Sequence, residues 1–175
     1  MGANGKSDST SEKNSTTVER KSERELVVTR IFNAPARIVF EAWTTPELFR
    51  QWWAPKSFGL TIISCEMDVR VGGTYRLVIG HPRSEQPLAF FGRYIEVMPC
   101  SRFAWTNDEG GEGGAVTTVI FEERGDTTLV VMHDLYPSKE ALDEAIASQS
   151  TSGFSETFQQ LDELFVSLEG SKGAA

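Results

Sequence analysis

The chain has 175 residues and a formal net charge of −8, with 17 Lys and Arg against 25 Asp and Glu. An acidic domain does not attract phosphate backbones, which argues against nucleic acid as a partner. No apolar run approaches the roughly 20 residues of a membrane-spanning helix and no apolar signal core stands at the N-terminus, so no membrane span is expected and the cytoplasm is the default location.

The length fits one domain with room for a tail. Up to Arg24 the chain holds eight Ser or Thr and almost no apolar residues. Such a segment cannot offset its ordering entropy, so residues 1–24 read as a disordered tail and residues 25–170 as the single domain. The two cysteines, Cys65 and Cys100, are far apart and are expected as reduced thiols, with a disulfide as the alternative. Two lone cysteines and two lone histidines make no zinc pattern, and no cofactor is expected.

Residues 25–32 read as the first strand. Asn33-Ala34-Pro35 ends it, and Pro35 suits the first turn of a helix carrying Ile38, Val39, Ala42 and Trp43. Thr44-Thr45-Pro46 breaks that helix, and a second short one follows to Trp53, stopped by Ala54-Pro55. The pattern then changes to period two. Strands are expected over 61–67, 74–79, 88–97, 102–106, 116–122 and 127–133, joined by Gly- and Pro-rich turns.

The last helix is expected over roughly 138–168. Phe154, Phe158, Leu161, Phe165 and Leu168 recur at steps of four and three, one face of an α-helix. Glu156, Gln159, Gln160, Asp162 and Glu163 read as its solvated face. The order is α+β: a curved antiparallel sheet of about six or seven strands around a long C-terminal helix, with two short helices after the first strand.

Several blocks then stand in one family's order: Asn33-Ala34-Pro35, Ala42-Trp43-Thr44-Thr45-Pro46-Glu47-Leu48, Gln51-Trp52-Trp53-Ala54-Pro55, Met67-Asp68-Val69-Arg70-Val71-Gly72-Gly73 and Gly153-Phe154-Ser155-Glu156-Thr157. The chain resembles bacterial homologues of the heat shock protein 90 ATPase activator, within the START-like, Bet v allergen-like (SRPBCC) superfamily. The resemblance implies a helix-grip fold with a cavity between sheet and helix, and binding of a small apolar or aromatic molecule. It also implies two alternatives, a co-chaperone or protein-interaction module with a chaperone partner, and a cavity enzyme such as a cyclase or hydrolase.

The expected cavity residues are Trp53, Phe58, Met67, Tyr75, Leu77 and Phe91, then Trp105, Phe154, Phe158 and Leu161, with Arg93 and His133 as polar groups. Arg93 alternates with Phe91 and Ile95, and His133 with Leu129 and Val131. Each has a plainer alternative: core packing for the aromatics, an outward arginine, a satisfied strand-end histidine. Asp68 and Arg70 read as an ion pair holding the bend at Gly72-Gly73. Adjacent helical positions diverge by about 100°, so Trp52 and Trp53 are not expected to be equally buried; Trp53 is assigned the inward, cavity-plugging place. No catalytic residue is assigned, since neither a phosphate loop before a helix nor a Gly-x-Ser-x-Gly elbow occurs.

Overall fold

Eight antiparallel strands form one open sheet in the order β1-β2-β8-β7-β6-β5-β4-β3. The computed structural model describes residues 15–109, 111, 113–147 and 153–173. The strands are β1 (Thr17–Arg20), β2 (Glu25–Phe32), β3 (Thr61–Met67), β4 (Thr74–Gly80), β5 (Leu88–Met98), β6 (Arg102–Thr106), β7 (Val116–Arg124) and β8 (Thr127–Leu135). Helices α1 (Ala36–Thr44) and α2 (Pro46–Phe49) follow β2, and α3 (Lys139–Ala147) and α4 (Phe154–Gly173) follow β8. From β3 to β8 each strand pairs with its successor, a meander. β8 then pairs with β2, from Glu25 opposite Leu135 to Phe32 opposite Thr128.

The strand ends follow from local chemistry. Pro35 stands at the N-cap of α1 with extended backbone, and Pro46 opens α2, so the missing amide hydrogens fall where no helical partner exists. β5 crosses the end of β6 closely at Gly92, where a Cβ would stand 1.9 Å from the Thr106 carbonyl oxygen. Only glycine fits there, and the pairing is shifted by a bulge between Tyr94 and Glu96.

The sheet begins earlier than the composition of the first 24 residues implies. Thr17–Arg20 pairs with β2, from Thr17 opposite Thr29 to Arg20 opposite Leu26. All four residues of β1 are exposed, so backbone pairing seats it rather than apolar burial. Arg20 adds an ion pair to Asp143 of α3 at 2.7 Å. Hydrophobicity alone could not reveal such an edge strand. Residues 1–14 of the expected tail lie outside the described residues.

The single helix expected over 138–168 is two elements, α3 and α4. Gly153 stands before α4 and lies against the segment after α2: a Cβ there would meet Pro55 at 2.8 Å. Residues 148–152 lie outside the described residues. Phe158, Leu161 and Phe165 of α4 are buried as the helical spacing requires, and the Phe32 ring of β2 sits 5.7 Å from both Phe158 and Phe165.

Of the solvated face expected on α4, Gln159 and Glu163 are exposed, but the other polar residues are drawn into contacts. Gln160 is buried; its amide donates to the Trp52 and Ala54 carbonyls, both at 2.9 Å, and its carbonyl accepts from the Lys56 amide at 2.9 Å. Thr157 donates to the Trp53 carbonyl, and Glu156 accepts from the Ser57 amide and hydroxyl. On the other side, Gln159 and Asp162 accept from the buried Arg30 of β2. The helix is thus flanked by the sheet on one side and by residues 52–57 on the other, and both flanks leave backbone or guanidinium donors that need partners. Among the described residues no helix is long and apolar enough to cross a membrane.

Candidate functional site

The inward faces of the sheet are set by period two. In β4, Leu77 and Ile79 are buried; in β5, Gly92 and Tyr94; in β7, Thr117, Val119 and Phe121; in β8, Thr128, Val130, Met132 and Asp134. One end of this inner face is closed by a dense aromatic cluster. Trp43 and Trp52 meet edge to face at 4.7 Å, and Phe49 stacks on Trp53 at 4.8 Å. The space left over is a cavity of about 600 Å³. Its walls come from β3 to β8, from Trp43 and Phe49 of the two short helices, from residues 53–58 and from the start of α4.

The wall is mainly apolar, with Glu66, Arg76 and His81 on the β3–β4 side and a hydrogen-bonded polar seam from Tyr75 to Asp134. The Tyr75 hydroxyl donates to the Thr106 carbonyl at 2.8 Å and lies 3.4 Å from the Asn107 side-chain oxygen. The Asn107 amide donates to the Thr117 hydroxyl at 3.1 Å, and that hydroxyl donates to the Asp134 carboxylate at 2.6 Å. Burial pushes the Asp134 carboxyl up to about 6, while the Thr117 hydrogen bond and His133 pull it back. Burial also raises the phenols of Tyr75, beside Glu109 and Asp108, and of Tyr94. The Cys65 thiol on the cavity wall is pushed up to about 11 by burial, so it stays protonated at neutral pH. Among the described residues no group of three or more His, Cys, Asp or Glu could hold a metal ion.

The profile of the family described as "Activator of Hsp90 ATPase homolog 1-like protein" matches residues 33–166. The chain belongs to the activator of Hsp90 ATPase homolog 1-like family. The fold agrees with solved structures. A crystal structure of a Rhodobacter sphaeroides protein superposes with a TM-score of 0.79 at 23% identity, covering 87% of this chain and 99% of that one. A Nitrosomonas europaea protein gives 0.77 at 20% identity, covering 86% and 99%. The solution structure of the AHSA1-like protein from Aeromonas hydrophila gives 0.62 at 15% identity, covering 79% and 93%. No curated protein matches the chain significantly. The open curved sheet with its C-terminal helix is the helix-grip arrangement that these structures share.

In this AHSA1-like chain, seven of the twelve expected cavity residues reach the cavity. They are Trp53, Phe58, Met67 and Tyr75, with Leu77, Trp105 and Phe154. Phe158 and Leu161 do not; both are fully buried in the core, where Phe158 lies 5.9 Å from Trp43. Phe91 and Arg93 are exposed on the opposite face of β5. Aromatic residues occupy both 90 and 91, so either phase of the alternation looked apolar, and it is Phe90 that lines the cavity. His133 is likewise on the other phase of β8, where its Nε2 lies 3.2 Å from the Glu25 carboxylate. Glu96 pairs with Arg102 at 3.0 Å. The two expected polar groups, Arg93 and His133, therefore do not reach the cavity. Asp68 and Arg70 do pair, at 2.8 Å, beside the Gly72-Gly73 bend.

The tryptophan pair is unequally buried, as expected, but the more buried ring is Trp52. Trp52 is fully buried, with its indole N–H donating to the Ala42 carbonyl at 2.9 Å. Trp53 is partly exposed and lies on the cavity wall. Trp53 therefore has the assigned cavity place, but Trp52 has the core place. α2 ends at Phe49, so Trp52 and Trp53 lie beyond the regular helix on which the expectation rested.

Asp134, Thr117 and Asn107 were not expected at the site. Once the phase that buries Val119 and Phe121 in β7 and Val130 and Met132 in β8 is known, Thr117 and Asp134 fall on the same inner face, but Ile120 and Val131 at the alternate positions left that phase open in the sequence.

Proposed function

We propose that this protein binds a small, largely apolar molecule in the cavity between the sheet and α4. The observation that carries the reading is the cavity itself, about 600 Å³ with largely aromatic walls and a hydrogen-bonded polar seam. Ligand pockets run roughly 300–1,000 Å³, with few but fixed polar groups. Side chains of a packed interior would leave no such volume. The rings of Trp43, Trp53, Tyr75, Phe90 and Trp105 offer broad apolar contact for a ring system or an alkyl chain.

Three of the four tryptophans line the cavity, so binding reports itself. Titration with lipids, aromatic polyketides and flavonoids, followed by tryptophan fluorescence and amide NMR shifts, is expected to perturb Trp53, Tyr75 and Trp105. Shifts confined to the convex face, or none for any compound, would overturn the reading.

A further inference from the structure

The cavity has a second, outward part. A neighbouring recess of about 610 Å³ shares Asn107, Glu109, Thr117 and Asp134 with it and is completed by the segment after β8 and by Glu144 of α3. The polar seam thus lies where the apolar chamber meets a more open vestibule. Its charged groups are all of one sign: Asp134 on the inner face of β8, Glu109 in the β6–β7 loop, and Glu144 from α3 across the vestibule. The basic residues of the chamber wall, Arg76 and His81, belong to β4 and the turn after it, three strands away from β7 in the sheet.

Asp134 is the unusual member. It is 7% exposed, and among the described residues only the Thr117 hydroxyl donates to it. Among the described residues no Lys, Arg or His lies within ion-pairing distance of it; His133 next in sequence is turned to Glu25. A buried carboxylate without a cation costs several kcal/mol unless something supplies the missing charge or proton. The opposite arrangement, a basic residue receiving a fatty acid's carboxylate, is not found at this seam.

We propose that the ligand is an amphipathic amine, its apolar body in the aromatic chamber and its protonated nitrogen at the Asp134 carboxylate, with Glu109 facing it from the vestibule. This rests on the ligand-binding reading above and sharpens it. The ammonium donates to the free side of the Asp134 carboxylate while Thr117 holds the other oxygen, and Asn107 fixes Thr117. Binding needs no change in the seam. The vestibule gives the nitrogen its way in and leaves room for a substituent on it.

The test uses three probes of equal length: dodecylamine, which is protonated at about pH 7.5, dodecanol and dodecanoate. Each is titrated below its micelle concentration at physiological salt, with tryptophan fluorescence and calorimetry as readouts. Salt suppresses nonspecific attraction to the acidic surface. The amine is expected to bind at least about tenfold tighter than the alcohol, with the carboxylate weakest. Asp134→Asn is expected to bring amine and alcohol within about threefold, and Glu109→Gln, in an exposed loop, to narrow the gap in part. An amine no tighter than the alcohol, or a preference that survives Asp134→Asn, would overturn the proposal and leave the apolar chamber standing. If none of the three binds, the ligand-binding reading falls with it. Should Asp134→Asn fail to fold, the wild-type ratio and the Glu109→Gln narrowing decide.

Discussion

The Arg30 guanidinium of β2 lies 3.3 Å from the Asp162 carboxylate of α4, and the Arg30 side chain is only 3% exposed. This pair ties the helix to the sheet at the edge of the core. Gln159 accepts from the same nitrogen at 3.0 Å, Thr16 accepts from the other terminal nitrogen, and the Phe32 ring lies 5.5 Å below the guanidinium carbon. Burial weakens the hold of Arg30 on its proton, and Asp162 offsets only part of that loss. Removing Asp162 leaves a buried cation with weaker partners. Asp162→Ala is expected to lose about 3 kcal/mol, the low end for breaking a buried pair, because Gln159 and Thr16 remain. Arg30→Met, which removes the charge and keeps the stem, is expected to cost far less. Urea denaturation of both variants checks the order.

Trp52 and Trp53 separate stability from the cavity. Trp52→Ala empties a fully buried site and strands the Ala42 carbonyl, so a loss of about 3–5 kcal/mol is expected. Trp53→Ala removes a partly exposed ring and is expected to cost less than half as much. Guanidinium midpoints measure the difference, and equal midpoints would contradict the assignment.

Asp134 makes stability fall as pH rises. Its folded-state value, about 6, lies above the ordinary carboxylate value, so the folded chain holds this proton more tightly than the unfolded chain. Its contribution is full below the unfolded value near pH 4 and is lost as pH rises through about 6, a difference on the order of 3 kcal/mol at most. Asp134→Asn keeps an acceptor for Thr117 and removes the titration. It is expected to match the wild type near pH 4 and to exceed it in stability above pH 7. A wild-type minus variant difference that does not change with pH would contradict this.

Cys65 and Cys100 are both free thiols with opposite surroundings. Cys100 is exposed, whereas Cys65 faces the cavity with its thiol held well above the usual range. Iodoacetamide at mildly alkaline pH is expected to modify Cys100 first and Cys65 slowly. Peptide mass spectrometry after timed quenching reads the order directly.

Cys100 is also the one described residue other than glycine with positive φ, at 64°. It follows Pro99 in the turn closed by the Ser101 amide and the Met98 carbonyl at 3.0 Å, the place where a type II turn favours glycine. Cys100→Gly is expected to stabilise by up to about 1 kcal/mol, since the left-handed cost of roughly 1–2 kcal/mol is partly returned as unfolded-state entropy. Thermal melts of variant and wild type test it.

How much of this was legible depends on which physics fixed each part. The helix-grip order was readable because apolar spacing in β2, the meander and α4 is decided by burial, and burial leaves a period. The strand phase was not readable in β5 and β8. There both faces carry large apolar side chains, such as Phe90 with Phe91 and Val130 with Val131, and one residue of slip exchanges the faces. β1 escaped because backbone hydrogen bonds, which have no sequence period, hold it. Gln160 and Asp162 were misread because a helix gripped on two flanks has less free surface than its polar residues suggest.

An open sheet has two edges, and an unguarded edge invites a further strand from another copy. β1 is four residues long and fully exposed, too short to template much pairing. At β3 the guard is a side chain. Arg50 reaches from the end of α2 to donate to the Ile62 carbonyl at 3.1 Å, beside the irregularity between Ile62 and Ser64. An incoming strand would have to displace that guanidinium and also fit the kinked backbone, although Ile63, 57% exposed, would otherwise favour contact. Resistance to edge-to-edge aggregation at this end of the molecule therefore rests on one arginine and one kink in the strand.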